Sequence, residues 1–406
     1  MTKIRVGDFH LGEDEKKAVM EVLNSGHVSE GRRVRDFEKL WAHYIGTKYS
    51  VALSSGTAAL MVGWSTLLHQ KKYPPKRKKV ITAPITYIST SNALVLTGYE
   101  PVYVDVDQET FVITPENIRK YLETVNDPEN YIAINPVHLM GYSCDMDEIN
   151  KIAKEYDLVV VEDSAQAHGS IYKGKKTGSL SLFSIFSFYI AHNIQAGEMG
   201  ALNTDNIEIY KLAKKLKANG RMCDCLVCTR HEGKCPHRSL DIEDHDPRFT
   251  HNLIGYNFKT MEFQAALAIS QIKKVNEIFI KRQSNVKYLN EGLKKFSSVL
   301  QLPVFDENVS YLAYPIVIKD TKIISRKDLR YHLEIEGIET RPLFGCIPTQ
   351  QPAYSHLARK YKNKLPNADY IGRNAFYIGC HQYLEQKDID YIIDIFHKVF
   401  KEKNLI

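Results

Sequence analysis

Four short runs of uninterrupted apolar residues restrict the fold of this 406-residue chain more than any other feature. They are Val80-Ile81-Thr82-Ala83, Pro101-Val102-Tyr103-Val104-Asp105, Tyr131-Ile132-Ala133-Ile134 and Leu158-Val159-Val160-Val161. A strand with one wet face alternates polar and apolar residues. A strand that does not alternate is covered on both faces, as in a parallel sheet flanked by helices. The segments between the runs read as helices. Thr114-Pro115-Glu116 supplies a capping hydroxyl and a proline in the first turn, and Met146-Asp147-Glu148-Ile149 opens another helix. The alternation predicts an α/β domain on a mostly parallel sheet.

From about Lys259 the pattern changes. Long helices are expected over roughly 260–297, a β segment over Tyr311–Ile318, a helix near 325–336 and a closing helix after Asp388. The reading is therefore a large α/β domain over 1–258 and a smaller α+β domain over 259–406, a division that suits this length. One insertion, 219–250, is polar and rich in Cys, His, Asp and Arg.

Composition excludes several classes. No run of about 18 apolar residues is available to span a membrane, and Met1-Thr2-Lys3-Ile4-Arg5 lacks the apolar core of a signal peptide. A cytoplasmic location is the expectation. The net charge of +6 comes from 54 basic and 48 acidic residues and is a weak bias over this length. No basic stripe interleaved with aromatic residues is present, so a nucleic-acid partner is not expected. Seven cysteines in a reducing compartment argue against a disulfide framework.

Two segments bear on chemistry. Ser54-Ser55-Gly56-Thr57 lies between a β run and a helix, where free backbone N–H groups bind phosphate or the serine simply caps. Glu162-Asp163 closes a buried strand, and ligands of open α/β sheets bind at the C-terminal ends of strands. There Asp163 either pairs with a protonated ring nitrogen or caps the next helix.

Several separated motifs, in order, resemble the DegT/DnrJ-type sugar aminotransferases. They are Ser55-Gly56-Thr57-Ala58-Ala59-Leu60, Pro84-Ile85-Thr86-Tyr87, Pro136-Val137-His138-Leu139-Met140-Gly141, Glu162-Asp163-Ser164-Ala165-Gln166, Phe186-Ser187-Phe188 and Gly255-Tyr256-Asn257-Phe258-Lys259. The resemblance covers most of the chain. It implies the fold type I of pyridoxal-phosphate-dependent transferases, with a seven-stranded, mostly parallel sheet and a smaller C-terminal domain. It also implies roles. Gly56, Thr57 and Ser187 would hold the phosphate of pyridoxal or pyridoxamine 5′-phosphate. Tyr87 would stack on its ring, Asp163 would pair with the ring nitrogen, and Gln166 would bond the ring oxygen. Asn257 would reach the phosphate in a neighbouring subunit, so a homodimer with composite active sites is expected. Arg341 and His381 match family positions near the mouth for a nucleotide-sugar substrate.

The departures from the family are informative. Its cofactor lysine sits five residues after the serine, and here that position is His192; Met199 replaces a glycine of the family's Gly-Glu-Gly-Gly tail. Imidazole cannot hold the cofactor covalently, yet it moves protons near neutral pH. The string Ser187-Phe188-Tyr189-Ile190-Ala191-His192-Asn193-Ile194 is similar to the branch of nucleotide-sugar 4-keto-6-deoxyhexose 3-dehydratases. That likeness implies pyridoxamine phosphate as the reacting form and His192 as the catalytic base in loss of the C3 hydroxyl. A sugar aminotransferase and a non-catalytic, cofactor-binding homologue are the rival readings. His168, beside Asp163 in the same motif, either modulates the cofactor ring or packs, and packing is the expectation.

Cys223, Cys225, Cys228 and Cys235 place four thiols within thirteen residues, a grouping that points to a metal or an iron–sulfur cluster. One 3-dehydratase of the branch carries such a cluster in this region. It draws one ligand from just after the Glu-Asp pair, where this chain has Ser164-Ala165. Zinc and a cluster therefore both remain open. A cluster implies an electron-donor reductase as a partner, whereas zinc would only order the loop.

Overall fold

The computed structural model describes residues 4–223, 225, 246 and 249–402. Each apolar run of the first half forms a strand. Lys79–Thr82, Glu100–Tyr103, Tyr131–Asn135 and Val159–Asp163 pair in parallel, and Phe183–Ser187 extends the parallel set beyond Val159–Asp163. Two further strands complete a seven-stranded sheet. Its order is Tyr49–Leu53, Gly200–Thr204, Phe183–Ser187, Val159–Asp163, Tyr131–Asn135, Lys79–Thr82, Glu100–Tyr103. Gly200–Thr204 runs antiparallel to both of its neighbours, so one strand in an otherwise parallel sheet is reversed. Three of the first four strands are buried from their second residue onward and the Tyr131–Asn135 strand throughout, as continuous apolar runs demand.

The helices start where capping groups are available. Ser55 accepts the Ala58 N–H and Thr114 the Asn117 N–H. The helix Arg32–Ile45 has no side-chain cap of its own. Its first turn is held instead by Glu262, whose carboxylate accepts from the Gly31, Arg33 and Val34 N–H groups at 2.8 to 2.9 Å. An anion at a helix N-terminus also complements the macrodipole.

The expected helical stretch near 260–297 is two helices, Glu262–Lys273 and Val275–Leu293, parted at Lys274. The later elements follow the expected order: Tyr314–Ile318 as a strand, Arg326–Ile335 as a helix, and Gln386–Glu402 as the closing helix. A four-stranded antiparallel sheet is built from Leu300–Gln301, Tyr314–Ile318, Ala375–Ile378 and Arg341–Pro342. One apolar cluster runs from Ile81, Val102 and Ile134 of the large sheet to Ile316 and Phe376 of the small one.

Two backbone approaches fix the open end of the large sheet. A Cβ on Gly56 would stand 2.7 Å from Ser187 Cβ, and a Cβ on Gly200 would overlap the Ser55 carbonyl group. Only glycine fits either place. The Gly200 obstruction is backbone, which cannot rotate away. Gly200→Ala is therefore expected to destabilise by at least the roughly 1–3 kcal/mol typical of overpacking, read as a lowered urea midpoint with an unchanged m-value.

Candidate active site

A cavity of about 660 Å3 opens at the C-terminal ends of the parallel strands. It brings together Gly56, Thr57, Tyr87, Asp163, Gln166 and Ser187 with His192, all of which the sequence singled out. Arg341 also reaches this cavity.

Asp163 is the last residue of the strand Val159–Asp163. Its backbone is bonded on both sides: its N–H donates to Pro136 O at 2.9 Å and its carbonyl accepts from the His138 N–H at 3.0 Å. The side chain is 4% exposed. Oδ2 accepts from the Thr90 hydroxyl at 2.8 Å, and Thr90 in turn is 2.9 Å from the Thr86 hydroxyl. Because Thr90 spends its proton on Asp163, Thr86 is the donor in the second bond. Burial raises the Asp163 pKa, although the Thr90 and Ala165 bonds pull it down.

Glu162, one residue earlier, faces the other side of the sheet. It accepts from Gly178 N–H, Leu180 N–H, the Ser181 hydroxyl and His138 Nε2. His138 Nδ1 accepts the Cys144 N–H, so its proton sits on Nε2 and points at Glu162. Glu162 is thus saturated, while Asp163 is left facing the cavity with no ion-pair partner among the described residues.

Gln166 uses its amide oxygen to accept the Met140 N–H at 3.0 Å, which leaves its NH2 group for the cavity. Tyr87 is 60% exposed, with one edge against Phe344. At the helix start, Ser55 has taken the Ala58 N–H, and the Gly56 and Thr57 N–H groups remain at the open end beside Ser187. The space that a Cβ on Gly56 would fill adjoins the Ser187 hydroxyl, so these residues form an anion cradle. An anion cradle at one end and an uncompensated carboxylate at the other fit a pyridoxal-type cofactor.

His192 stands on the cavity wall. Its Nδ1 is buried without a partner, which leaves Nε2 as the nitrogen facing the cavity. Burial, and then the nearby Arg282 guanidinium, push its pKa down to about 3. The ring is therefore neutral throughout the ordinary pH range and free to accept a proton. No lysine is among the described residues that line this cavity. His168 is fully buried between Trp41, Phe186 and Phe188, with neither ring nitrogen bonded, which agrees with a packing role. Met199 fills the same apolar cluster.

The other sequence candidates among the described residues lie elsewhere. His381 is buried, with Nε2 3.2 Å from Arg5 O, and does not line the cavity. Asn257 faces a second cavity, of about 1020 Å3, together with Lys214, Arg221, Cys223 and Cys225. Cys228 and Cys235 fall outside the described residues. Among the described residues no three His, Cys, Asp or Glu side chains converge as a metal site. Sequence reasoning missed Thr90 and Arg282. Thr86 and Thr90, one helical turn apart after a strand, carried a readable signal; a lone arginine in a long helix did not.

Residues 10–397 match the DegT/DnrJ/EryC1/StrS aminotransferase family. The chain belongs to this family. It is 32% identical to a dTDP-4-dehydro-2,6-dideoxy-D-glucose 3-dehydratase of Saccharopolyspora spinosa, covering 97% of this chain and 86% of that protein. It is 30% identical to a GDP-perosamine synthase of Caulobacter vibrioides, covering 97% of both. A solved E. coli GDP-4-keto-6-deoxy-D-mannose-3-dehydratase with bound hydrated PLP aligns with a TM-score of 0.85 at 27% identity, over 97% of this chain and 99% of that one. The fold is the α/β fold of these pyridoxal-phosphate-dependent family members, as the motifs implied. Family membership alone does not choose the reaction, because the relatives include both 3-dehydratases and a perosamine synthase.

The buried imidazoles make stability depend on acid. His168 lies well below its ordinary pKa, His192 at about 3 and His381 at about 4, in each case chiefly through burial. Below about pH 6.5 the unfolded chain takes up three protons that the folded chain refuses. Their contribution is whole above that pH and is lost as pH falls toward the folded values. Asp163 and Asp105, both raised by burial, work in the opposite sense, two groups against three. The thermal midpoint of ligand-free protein should therefore fall steadily from about pH 6.5 to 4.5, and His168→Leu should flatten the slope.

Proposed function

We propose that this enzyme uses pyridoxal and pyridoxamine phosphate to remove the C3 hydroxyl of a nucleotide-linked 4-keto-6-deoxy sugar, a step in deoxysugar and surface-polysaccharide assembly. One observation carries the reading: the cavity that gathers Gly56, Thr57, Tyr87, Asp163, Gln166 and Ser187 has a neutral imidazole, His192, on its wall and no lysine among its described lining residues. Similarity to 3-dehydratases supports it.

Gly56, Thr57 and Ser187 would bind the phosphate, Tyr87 would stack, Asp163 would pair with the ring nitrogen and Gln166 would donate to the ring oxygen. Bound there, the cofactor supplies an amine for the sugar's keto carbon and a sink for electrons. A cationic ring nitrogen would give Asp163 the counter-charge it lacks and hold it ionised. His192 begins unprotonated and accepts a proton at Nε2. The bound cofactor would supply the C–H bond that loses this proton and the electron sink through which its electron pair reaches C3. The imidazolium then returns the proton, and the hydroxyl departs as water. Arg341 commits Nε and Nη2 to Glu339 at 3.1 and 3.0 Å, which leaves Nη1 for an anionic part of the substrate.

A homodimer is part of this proposal. Asn257 lies away from its own chain's Asp163 cavity, and Ile254 nearby is 94% exposed, an apolar surface suited to a second copy. The cysteine segment takes part in none of these steps. Similarity to a perosamine synthase supports sugar transamination as the second reading.

Incubation of the purified protein with pyridoxamine phosphate and a 4-keto-6-deoxy sugar nucleotide separates the two readings. A sugar product lighter by one oxygen, with the pyridoxamine amine released as ammonia and the cofactor left as the aldehyde, supports dehydration. An amino sugar formed with an amine donor, without loss of water, overturns it in favour of transamination. His192→Asn should lower dehydration about 10^2-fold or more. His192→Lys should do the same while gaining a cofactor linkage that borohydride makes permanent, absent from the wild type.

A further inference from the structure

Arg282, in the helix Val275–Leu293, is a buried guanidinium with no carboxylate partner among the described residues. Nε donates to Gln382 Oε1 at 3.1 Å, and Nη1 donates to the Tyr311 and Leu312 carbonyls at 3.2 and 2.8 Å. Nη2 is buried and unbonded. The adjacent Cys380 is pushed up to about 11 by burial and stays a thiol, so it is no counter-ion. Leaving a cation buried among neutral partners is costly, and such a cost marks a group kept for its charge or its geometry.

The geometry gives it both uses. The backbone Arg282 grips is a strap between the two sides of the cavity. Leu312, which lines the cavity, donates its N–H to Met140 O, and Met140 donates its own N–H to Gln166. At the other end of the strap, Ser310 O accepts from Asn193 Nδ2 at 2.9 Å, and Asn193 directly follows His192. Tyr311 between them holds φ at +43°, a conformation costly for a residue with a side chain, so the strap needs the bonds that pin it.

We propose that Arg282 is a positioning residue for His192: it pins the Ser310–Leu312 strap from which both cavity walls hang, and it adds a positive charge near the imidazole. This rests on the reading of His192 as the proton-handling group. The groups around that imidazole are the rings of His168 and Tyr189, the Arg282 guanidinium and, in the shared cavity, Asp163, Glu198 and Arg341. Burial first, and then the Arg282 charge, keep His192 low. A neutral residue there would keep the packing and lose the charge.

The test uses ligand-free, full-length protein, so it does not depend on any sugar substrate. NMR of labelled histidine follows the imidazoles, and loss of one signal in His192→Gln assigns it among the 15. In the wild type, His192 should not titrate above about pH 5; an ordinary midpoint near 6.5 overturns the proposal. Arg282→Met should raise the midpoint by about one unit or more, a ten-fold gain in proton affinity, whereas Arg282→Lys should leave it low. A purely structural Arg282 would change stability without separating these two variants, and equal midpoints in both overturn the charge role. Both variants should speed hydrogen exchange of the Leu312 amide; unchanged exchange overturns the strap role. If Arg282→Met yields no folded protein, Arg282→Lys decides: a low midpoint with faster Leu312 exchange supports the proposal, and a raised midpoint overturns it. Absence of dehydration by the wild type would sink the proposed function and leave these titrations readable.

Discussion

Two neighbouring carboxylates on one strand organise the catalytic end of this protein. Strand geometry sends Glu162 and Asp163 to opposite faces of the sheet. Glu162 meets four donors and becomes a fixed structural anion that ties His138 and the 178–181 turn to the sheet. Asp163 meets one hydroxyl, the Ala165 N–H and a cavity. The carboxylate that is fully satisfied stiffens the platform; the one that is not creates a demand for a cationic ligand. The remaining contacts, from the Gly56 cradle to Gln166, are spaced around that demand.

Much of this was legible in the sequence, and for physical reasons. Continuous apolar runs announced the parallel strands because burial on two faces leaves no room for alternation. Thr114 and Ser55 announced their helices because caps act over three residues. The cavity residues were readable as motifs because each sits at the end of a strand or the start of a helix, where local chemistry and position coincide.

What remained hidden depends on contacts made across long stretches of chain. Nothing local in Gly-Ala-Leu-Asn-Thr at 200–204 marks it as a buried strand; its place is set by Tyr49–Leu53 on one side and Phe183–Ser187 on the other. The helix Arg32–Ile45 starts under a cap lent by Glu262, far along the chain. Arg282 reads as one more polar position in an amphipathic helix until its partners turn out to be the carbonyls of Tyr311 and Leu312. His381 matched a family position near the mouth, yet in the folded chain its ring turns away to the Arg5 carbonyl.

The reversed strand also governs the order in which the molecule can be assembled. Among the described residues, Tyr49–Leu53 has no neighbour in the sheet except Gly200–Thr204. During synthesis the first strand must wait until residue 204 has left the ribosome, and the Ser55–Gly56 turn that it carries cannot close against Ser187 before then. The most N-terminal part of the anion cradle is therefore among the last to form, a consequence of loop closure between distant segments. An unfinished chain would hold its central strands and Asp163 in place before the Gly56 turn is closed, so under the proposed function cofactor capture would wait until the large sheet is complete.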